Sequence, residues 1–252
     1  MRALALAIIG GTGLYRWSGL TGIERHAIDT PYGAPSDSVM VGQVGAHRVA
    51  FLARHGESHT IPPHRVNYRA NLWALHHLGA RRVIGVNAVG GIRADMAPRC
   101  IVVPDQIIDY TRGRLDSYCD VAGAEVRHVD FGEPYSASLR AAVLAAAHRA
   151  GVAAIDGGCY GATQGPRLET RAEIERMRRD GCDLVGMTGM PEAALARELE
   201  LDYACVALVA NWAAGCADAG EITLDEVLAN VASSTAQLVP LLSGLLDAGT
   251  TA

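Results

Sequence analysis

The sequence is poor in the features that mark several broad protein classes. Its 252 residues carry 22 basic and 27 acidic side chains, a formal net charge of −5, and no block of lysines or arginines. That excludes an electrostatic footprint for nucleic acid or for an anionic membrane surface. The six cysteines, Cys100, Cys119, Cys159, Cys182, Cys205 and Cys216, include no C-x-x-C pair. Neither a zinc site nor a disulfide framework is indicated, and the thiols are expected to be reduced, mostly buried small hydrophobes. No apolar run reaches membrane-spanning length, and the apolar stretch 1–9 is too short for a secretory leader, so a cytoplasmic chain is expected. Without a repeat, a low-complexity segment or a linker, the chain reads as a single domain over 1–252, fraying from about residue 248.

What is present is an alternation of short apolar runs with helical segments, the pattern of an α/β fold. Strands are predicted at 4–9, 38–44, 47–52, 83–87, 100–108, 153–160, 184–188 and 203–213, and helices at 67–78, 135–150, 171–180 and from about 221 to 246. The run 203–213 has the continuous apolarity of a strand buried on both faces and delivers Asn211 near its carboxyl end. An amide there can donate and accept together, which suits a heteroaromatic ring nitrogen and its exocyclic neighbour. A plain turn residue is the alternative.

Other strand ends carry further chemistry. Gly10-Gly11-Thr12-Gly13 follows the first strand as a turn with exposed amides and one hydroxyl, suited to an oxyanion but lacking the third glycine of a dinucleotide fingerprint. Arg54 and His55 follow the 47–52 strand. Arg54 offers a planar fork and His55 a second donor for an inorganic anion, with a salt bridge and a part-buried histidine as the alternative. Residues 88–91 read as a second glycine turn after the 83–87 strand. Glu169 precedes a charged helix, where it could simply be a helix-start carboxylate. Thr188 sits before a helix opened by Pro191 and Glu192, and Thr223 with Glu226 has the spacing of a capping box.

Together these stretches resemble the trimeric purine nucleoside phosphorylase and methylthioadenosine phosphorylase family, from Ile8 to the final helix. The resemblance is carried by GGTG at 10–13, RHG at 54–56, NAVGG at 87–91, GPRLET at 165–170 and MTGMPE at 187–192. It implies a central mixed β-sheet flanked by helices, and phosphate as co-substrate with neither metal nor organic cofactor. Phosphate would be held by Thr12, Arg54, His55, Asn87, Ala88 and Thr188, with Met187 under the ribose. His128 would reach the active site of a neighbouring subunit in a homotrimer, or in a dimer of trimers. Arg54, His55 and Asn211 would carry the catalytic work.

Three positions depart from the methylthioadenosine branch, which has aspartate at 211 and 213 and serine at 169; here they are Asn211, Ala213 and Glu169. A 6-oxopurine presents a donor at N1 and an acceptor at C6, so Glu169 and Asn211 suit it. At the sugar end, Ile222, Leu224, Val227 and Leu228 replace the histidine of 6-oxopurine relatives with an apolar 5′ pocket, where a methylthio group gains on the order of 1–2 kcal/mol. The two ends together imply phosphorolysis of S-methyl-5′-thioinosine, with methylthioadenosine and inosine or guanosine as alternatives. Leu168 stands where relatives stack phenylalanine on the base; Trp212 is either its substitute or a buried structural residue. The run 52–57 also resembles the histidine phosphatase signature, but it follows a third or fourth strand and leaves the other four motifs unexplained. A binding module without turnover is the other rival, and a full set of phosphate ligands argues against it.

Overall fold

The computed structural model describes residues 4–11, 19–121, 123–217 and 221–248. In chain order its strands are β1 (Leu6–Gly10), β2 (Thr21–His26), β3 (Val39–Val44), β4 (His47–Ala53), β5 (Arg82–Gly91), β6 (Ile101–Val103), β7 (Gln106–Asp109), β8 (Ala154–Asp156), β9 (Cys159–Ala162), β10 (Leu184–Gly186) and β11 (Asp202–Trp212). The helices are α1 (Tyr68–His77), α2 (Ala137–Arg149), α3 (Arg171–Asp180), α4 (Glu192–Glu198) and α5 (Leu224–Ala248). No helix among the described residues is long and apolar enough to cross a membrane.

The sheet is mixed. Its main path runs β2-β3-β4-β1-β5-β10-β9-β7, and β11 lies along the other side of β5 and carries β6, which in turn pairs with β8. Strict alternation sorts the central strands onto two cores. In β11, Tyr203, Cys205, Ala207 and Val209 face the layer that contains Leu72 and Leu75 of α1 and Leu195 of α4. Ala204, Val206, Leu208 and Ala210 face Val143 of α2 and Leu238, Leu241 and Leu242 of α5. This double burial explains why the run 203–213 is continuously apolar up to Ala210.

The helix limits follow from their caps. Asn67 accepts from the Ala70 amide at the start of α1, and Ser136 from Leu139 at the start of α2. Thr170 and Glu173 form a reciprocal capping box on α3, and Gly181 ends it with φ 94°. The Thr223 hydroxyl accepts from the Glu226 amide ahead of α5. All six thiols are free of disulfides, Cys182, Cys205 and Cys216 buried and the other three half-buried.

Four sequence expectations need correction. The segment 88–91 is no turn: β5 continues through Gly91, paired with β11 along its length and with β10 at Gly90 and Gly91. Its glycines permit close approach, since a Cβ on Gly91 would fall 1.9 Å from the Met96 carbonyl oxygen. The predicted strand 100–108 divides at Pro104-Asp105 into β6 and β7, and 153–160 divides at Gly157 and Gly158, with φ 83° and 116°, into β8 and β9. Both breaks occur at one corner, where Asp105 accepts from the Gly158 amide at 2.8 Å and each strand pair changes sheet limb. Finally β2 was not anticipated, because its residues are exposed apart from the partly covered His26 and Ile23 is the one large apolar side chain among them.

Gly91→Ala is expected to lower stability by about 1–3 kcal/mol through overpacking. Gly244→Ala in α5, where the nearest atom to a new Cβ is 3.7 Å away, is expected to be neutral or stabilising. Urea unfolding of the two variants checks both signs.

Candidate active site

β5 changes neighbours along its length, pairing with β1 at Val83, Ile84 and Gly85 and with β10 only at Gly90 and Gly91. Between these two partners the sheet parts. The cleft that opens there, at the carboxyl ends of β1, β4 and β11, is the position a switch of strand order favours for ligands. Its volume is about 560 Å³.

One end of the cleft is built for an anion. Arg54 and His55 reach it from the end of β4, Ala88 is the one exposed residue of β5, and Thr188 follows β10. Arg54 is 1% exposed. Its Nε and Nη2 donate to the two Glu192 oxygens at 2.7 and 2.8 Å, Nη1 to the Val86 carbonyl at 2.8 Å and Nη2 to the Ile9 carbonyl at 3.2 Å. Burial alone would make the guanidinium less basic; the Glu192 charge and hydrogen bonds more than offset this and hold Arg54 charged. The expectation of a planar fork for phosphate is therefore corrected. The fork is occupied by Glu192, and only one Nη1 hydrogen remains, on an atom 3.7 Å from where a Cβ on Gly11 would stand.

His55 is corrected in the same way. Its Nδ1 lies 2.8 Å from the Ile61 carbonyl, which can only accept, so Nδ1 carries the proton and Nε2 is the acceptor facing Gly11. Burial, followed by the Arg54 charge, lowers its pKa to about 4. The ring is thus neutral near pH 7 and meets a hydroxyl better than it meets a bare oxyanion. Asn87 is fully buried and works from behind: its amide donates to the Thr188 hydroxyl at 2.7 Å, which leaves the Thr188 proton to be donated forward. Thr12, the remaining member of the expected phosphate set, lies outside the described residues.

The opposite end is lined by Leu168, Glu169, Asn211 and Ala213. β11 carries a bulge between Val209 and Asn211 that re-aims the amide, and its Nδ2 donates to the Trp212 carbonyl at 2.7 Å. That contact orients the group, with Oδ1 and one Nδ2 hydrogen left over. Glu169 is not a helix-start carboxylate, since Thr170 and Glu173 cap α3; it accepts from the Thr163 hydroxyl at 2.5 Å. Trp212 packs on a satellite cluster and lines a different cavity, so the structural reading of that residue holds. Leu168 is 47% exposed and the cleft lining includes no aromatic residue of the base-stacking kind among those described.

Met187, Ile222 and Val227 also line the cleft. Leu224 and Leu228 do not, being 70% and 41% exposed. They are four residues apart on α5 and share its outer face, while Val227 shares a face with the buried Val231. His128 is exposed and away from the cleft within its own chain. Sequence reasoning missed Glu192, Tyr203 and Thr163 as parts of the site. Glu192 stood within a recognised motif but as a helix opener, whereas Tyr203 and Thr163 carried no local signal.

Comparison with known proteins identifies relatives over nearly the whole chain. The family profile described as the phosphorylase superfamily matches residues 5–246. A "Probable S-methyl-5′-thioinosine phosphorylase" from Xanthomonas campestris is 62% identical over 243 residues, 96% of this chain and 97% of that protein. An "S-methyl-5′-thioadenosine phosphorylase" from Mycobacterium tuberculosis is 45% identical, over 96% of this chain and 88% of its own. Among solved structures, a methylthioadenosine phosphorylase from Schistosoma mansoni in complex with adenine superposes with a TM-score of 0.93 at 29% identity, covering 100% of this chain and 93% of that one.

Two outcomes are expected from the buried groups. Glu192→Leu leaves the Arg54 charge buried and unpaired and should cost about 3–5 kcal/mol in denaturant unfolding near neutral pH. His55 has a depressed folded pKa, so its contribution to stability is complete above about 6.5 and is lost as pH falls toward about 4. Unfolding curves over that window should be flatter for His55→Gln than for the parent protein.

Proposed function

The chain belongs to the phosphorylase superfamily, and we propose that its reaction is phosphorolysis of S-methyl-5′-thioinosine to hypoxanthine and 5-methylthioribose 1-phosphate. The observation that carries the choice of base is the Glu169 carboxylate, held at the cleft wall by Thr163 and acceptor-only toward the ligand. It suits the N1–H of hypoxanthine and opposes the bare N1 lone pair of adenine. The apolar lining at Ile222 and Val227 suits a methylthio group and leaves an inosine 5′-hydroxyl without a partner.

In this mechanism phosphate binds beside Ala88 and accepts from Thr188 and the remaining Arg54 hydrogen. Its own hydroxyl donates to His55 Nε2, which fixes which oxygens point at the sugar. Met187 lies under the ribose. The C1′–N9 bond breaks with its electron pair going to the purine, while a phosphate oxygen forms the new bond to C1′ from the opposite face. Negative charge from phosphate stabilises the oxocarbenium-like sugar, and the Asn211 amide meets N7 and O6 of the departing ring. Over the whole reaction phosphate gives up its hydroxyl proton and the purine nitrogen gains one by way of solvent, so protons and charge balance without an added acid. Positioning and electrostatics are the enzyme's contribution, and no covalent intermediate is needed.

A homotrimer belongs to the same reading. The described residues between 111 and 133 are largely exposed, with Leu115 at 55% and Val126 at 68%, and include His128. A second copy covering these apolar side chains would bring His128 toward a neighbouring cleft. Methylthioadenosine is the second reading for the substrate, favoured by the 45% identity to the Mycobacterium tuberculosis relative.

The test is phosphate-dependent release of free base from methylthioinosine, methylthioadenosine and inosine, compared as kcat/KM. Methylthioinosine should lead by about tenfold or more, and Asn211→Asp should move preference toward methylthioadenosine. A lead for methylthioadenosine in the parent protein overturns the base assignment, and a lead for inosine overturns the apolar end.

A further inference from the structure

Glu169 lines two cavities at once. One is the cleft; the other, of about 360 Å³, is lined by Arg112, Arg167 and Arg176, by Asp109 and Glu173, and by Thr163, which does not line the cleft. The guanidinium of Arg167 is made more basic first by its hydrogen bond to Glu173, with Glu169 a further contributor, so Glu169 is already within its electrostatic reach. A half-buried carboxylate shared by two cavities, one of them carrying arginines, needs something to fix how its two oxygens are divided between them.

Thr163 supplies that restraint. It is buried, at the end of β9, and its single hydroxyl hydrogen has two acceptors within range: Glu169 Oε1 at 2.5 Å and the Gly186 carbonyl at 3.2 Å. A hydroxyl donating to an ionised carboxylate makes the shorter and stronger bond, and 2.5 Å is the length expected of one. The Gly186 carbonyl is already satisfied, since the Thr163 amide donates to it at 2.8 Å. The hydroxyl is therefore not required for backbone pairing. The backbone of the segment is itself anchored, because Arg114 donates to the Thr163 and Gln164 carbonyls at 3.1 and 2.9 Å.

We infer that Thr163 is a positioning residue that sets base specificity: its hydroxyl, on the wall of the second cavity, pins one Glu169 oxygen there, so that the other is presented across the partition to a ring N–H in the cleft. This rests on the function proposed above, in which that N–H is N1 of a 6-oxopurine. Loss of the hydroxyl removes the anchor that fixes which oxygen faces the cleft and leaves the Glu169 rotamer unset. Recognition of N1–H is then lost, while a 6-aminopurine, which gains nothing from the carboxylate, is unaffected.

The experiment compares the parent protein with Thr163→Val and Thr163→Ser. Kinetics on methylthioinosine and methylthioadenosine are read beside calorimetric binding of hypoxanthine and adenine in saturating phosphate. Thr163→Val should lose about tenfold or more in kcat/KM for methylthioinosine and in hypoxanthine affinity. Its methylthioadenosine kinetics and adenine affinity should change less than about threefold, and Thr163→Ser should restore the parent ratio. An unchanged ratio, or an equal fall on both nucleosides, overturns the inference, because a purely structural threonine would not distinguish the bases. Should Thr163→Val fail to fold, Thr163→Ala carries the same comparison. Parent protein that binds hypoxanthine no better than adenine overturns the functional reading instead, whatever the variants do.

Discussion

The ion pair between Arg54 and Glu192 is the contact on which the cleft depends. Its members are 138 residues apart in the chain, 1% and 0% exposed, and joined by two parallel hydrogen bonds. Tyr203 of β11 donates to the same Glu192 carboxylate at 2.8 Å, so the end of β4, the start of α4 and the central strand meet at one point. The pair runs past Gly85 of β5, where a Cβ would fall 2.0 Å from the Tyr203 hydroxyl. Burying two charges gives little net stability in exchange for their lost hydration. What it provides is geometry: neither group can move without leaving the other unpaired. The charge also propagates, since Arg54 adds to the burial that keeps His55 neutral.

A common arrangement recurs around the cleft. His55, Thr188, Asn211 and Glu169 are each committed on one side to a protein partner, and that partner decides what remains for the cleft. Ile61 takes the His55 Nδ1 proton and leaves an acceptor. Asn87 donates to Thr188 and leaves a donor. Trp212 takes one hydrogen from Asn211, and Thr163 takes up one oxygen of Glu169. Hydrogen-bond capacity is finite for each side chain, so these contacts fix the tautomer, rotamer and donor sense before any ligand arrives. Such preorganisation is the main resource of a reaction that needs no covalent help.

The sheet shares in this design. β5 is long because it borders β11 throughout, yet it gives up β1 and takes β10 on its other edge, so a gap exists where backbone and side chains can meet a ligand. Glycine at 91 is required by the Met96 carbonyl packed against that edge, and Gly90 is closely flanked by Val185 and Ala213. Residues that looked like a flexible turn are thus among the most tightly confined in the chain.

Much was legible in the order of residues alone. Apolar runs long enough to be strands, Arg54 and His55 directly after one of them, Glu169 before a capped helix and Asn211 at the end of the most buried strand are local patterns, governed by periodicity and by where a strand must stop. They determined an α/β fold and the composition of most of the cleft. Only the tertiary structure decided how those groups are used. That Arg54 spends its fork on Glu192, that Leu224 and Leu228 turn outward on α5 while Val227 turns in, and that an unremarked threonine holds Glu169, all depend on contacts between residues remote in the chain or on the phase of a helix against its sheet. Periodicity specifies which face of an element is buried, but the partner that meets a buried polar group is chosen by packing, and no short stretch of sequence contains it.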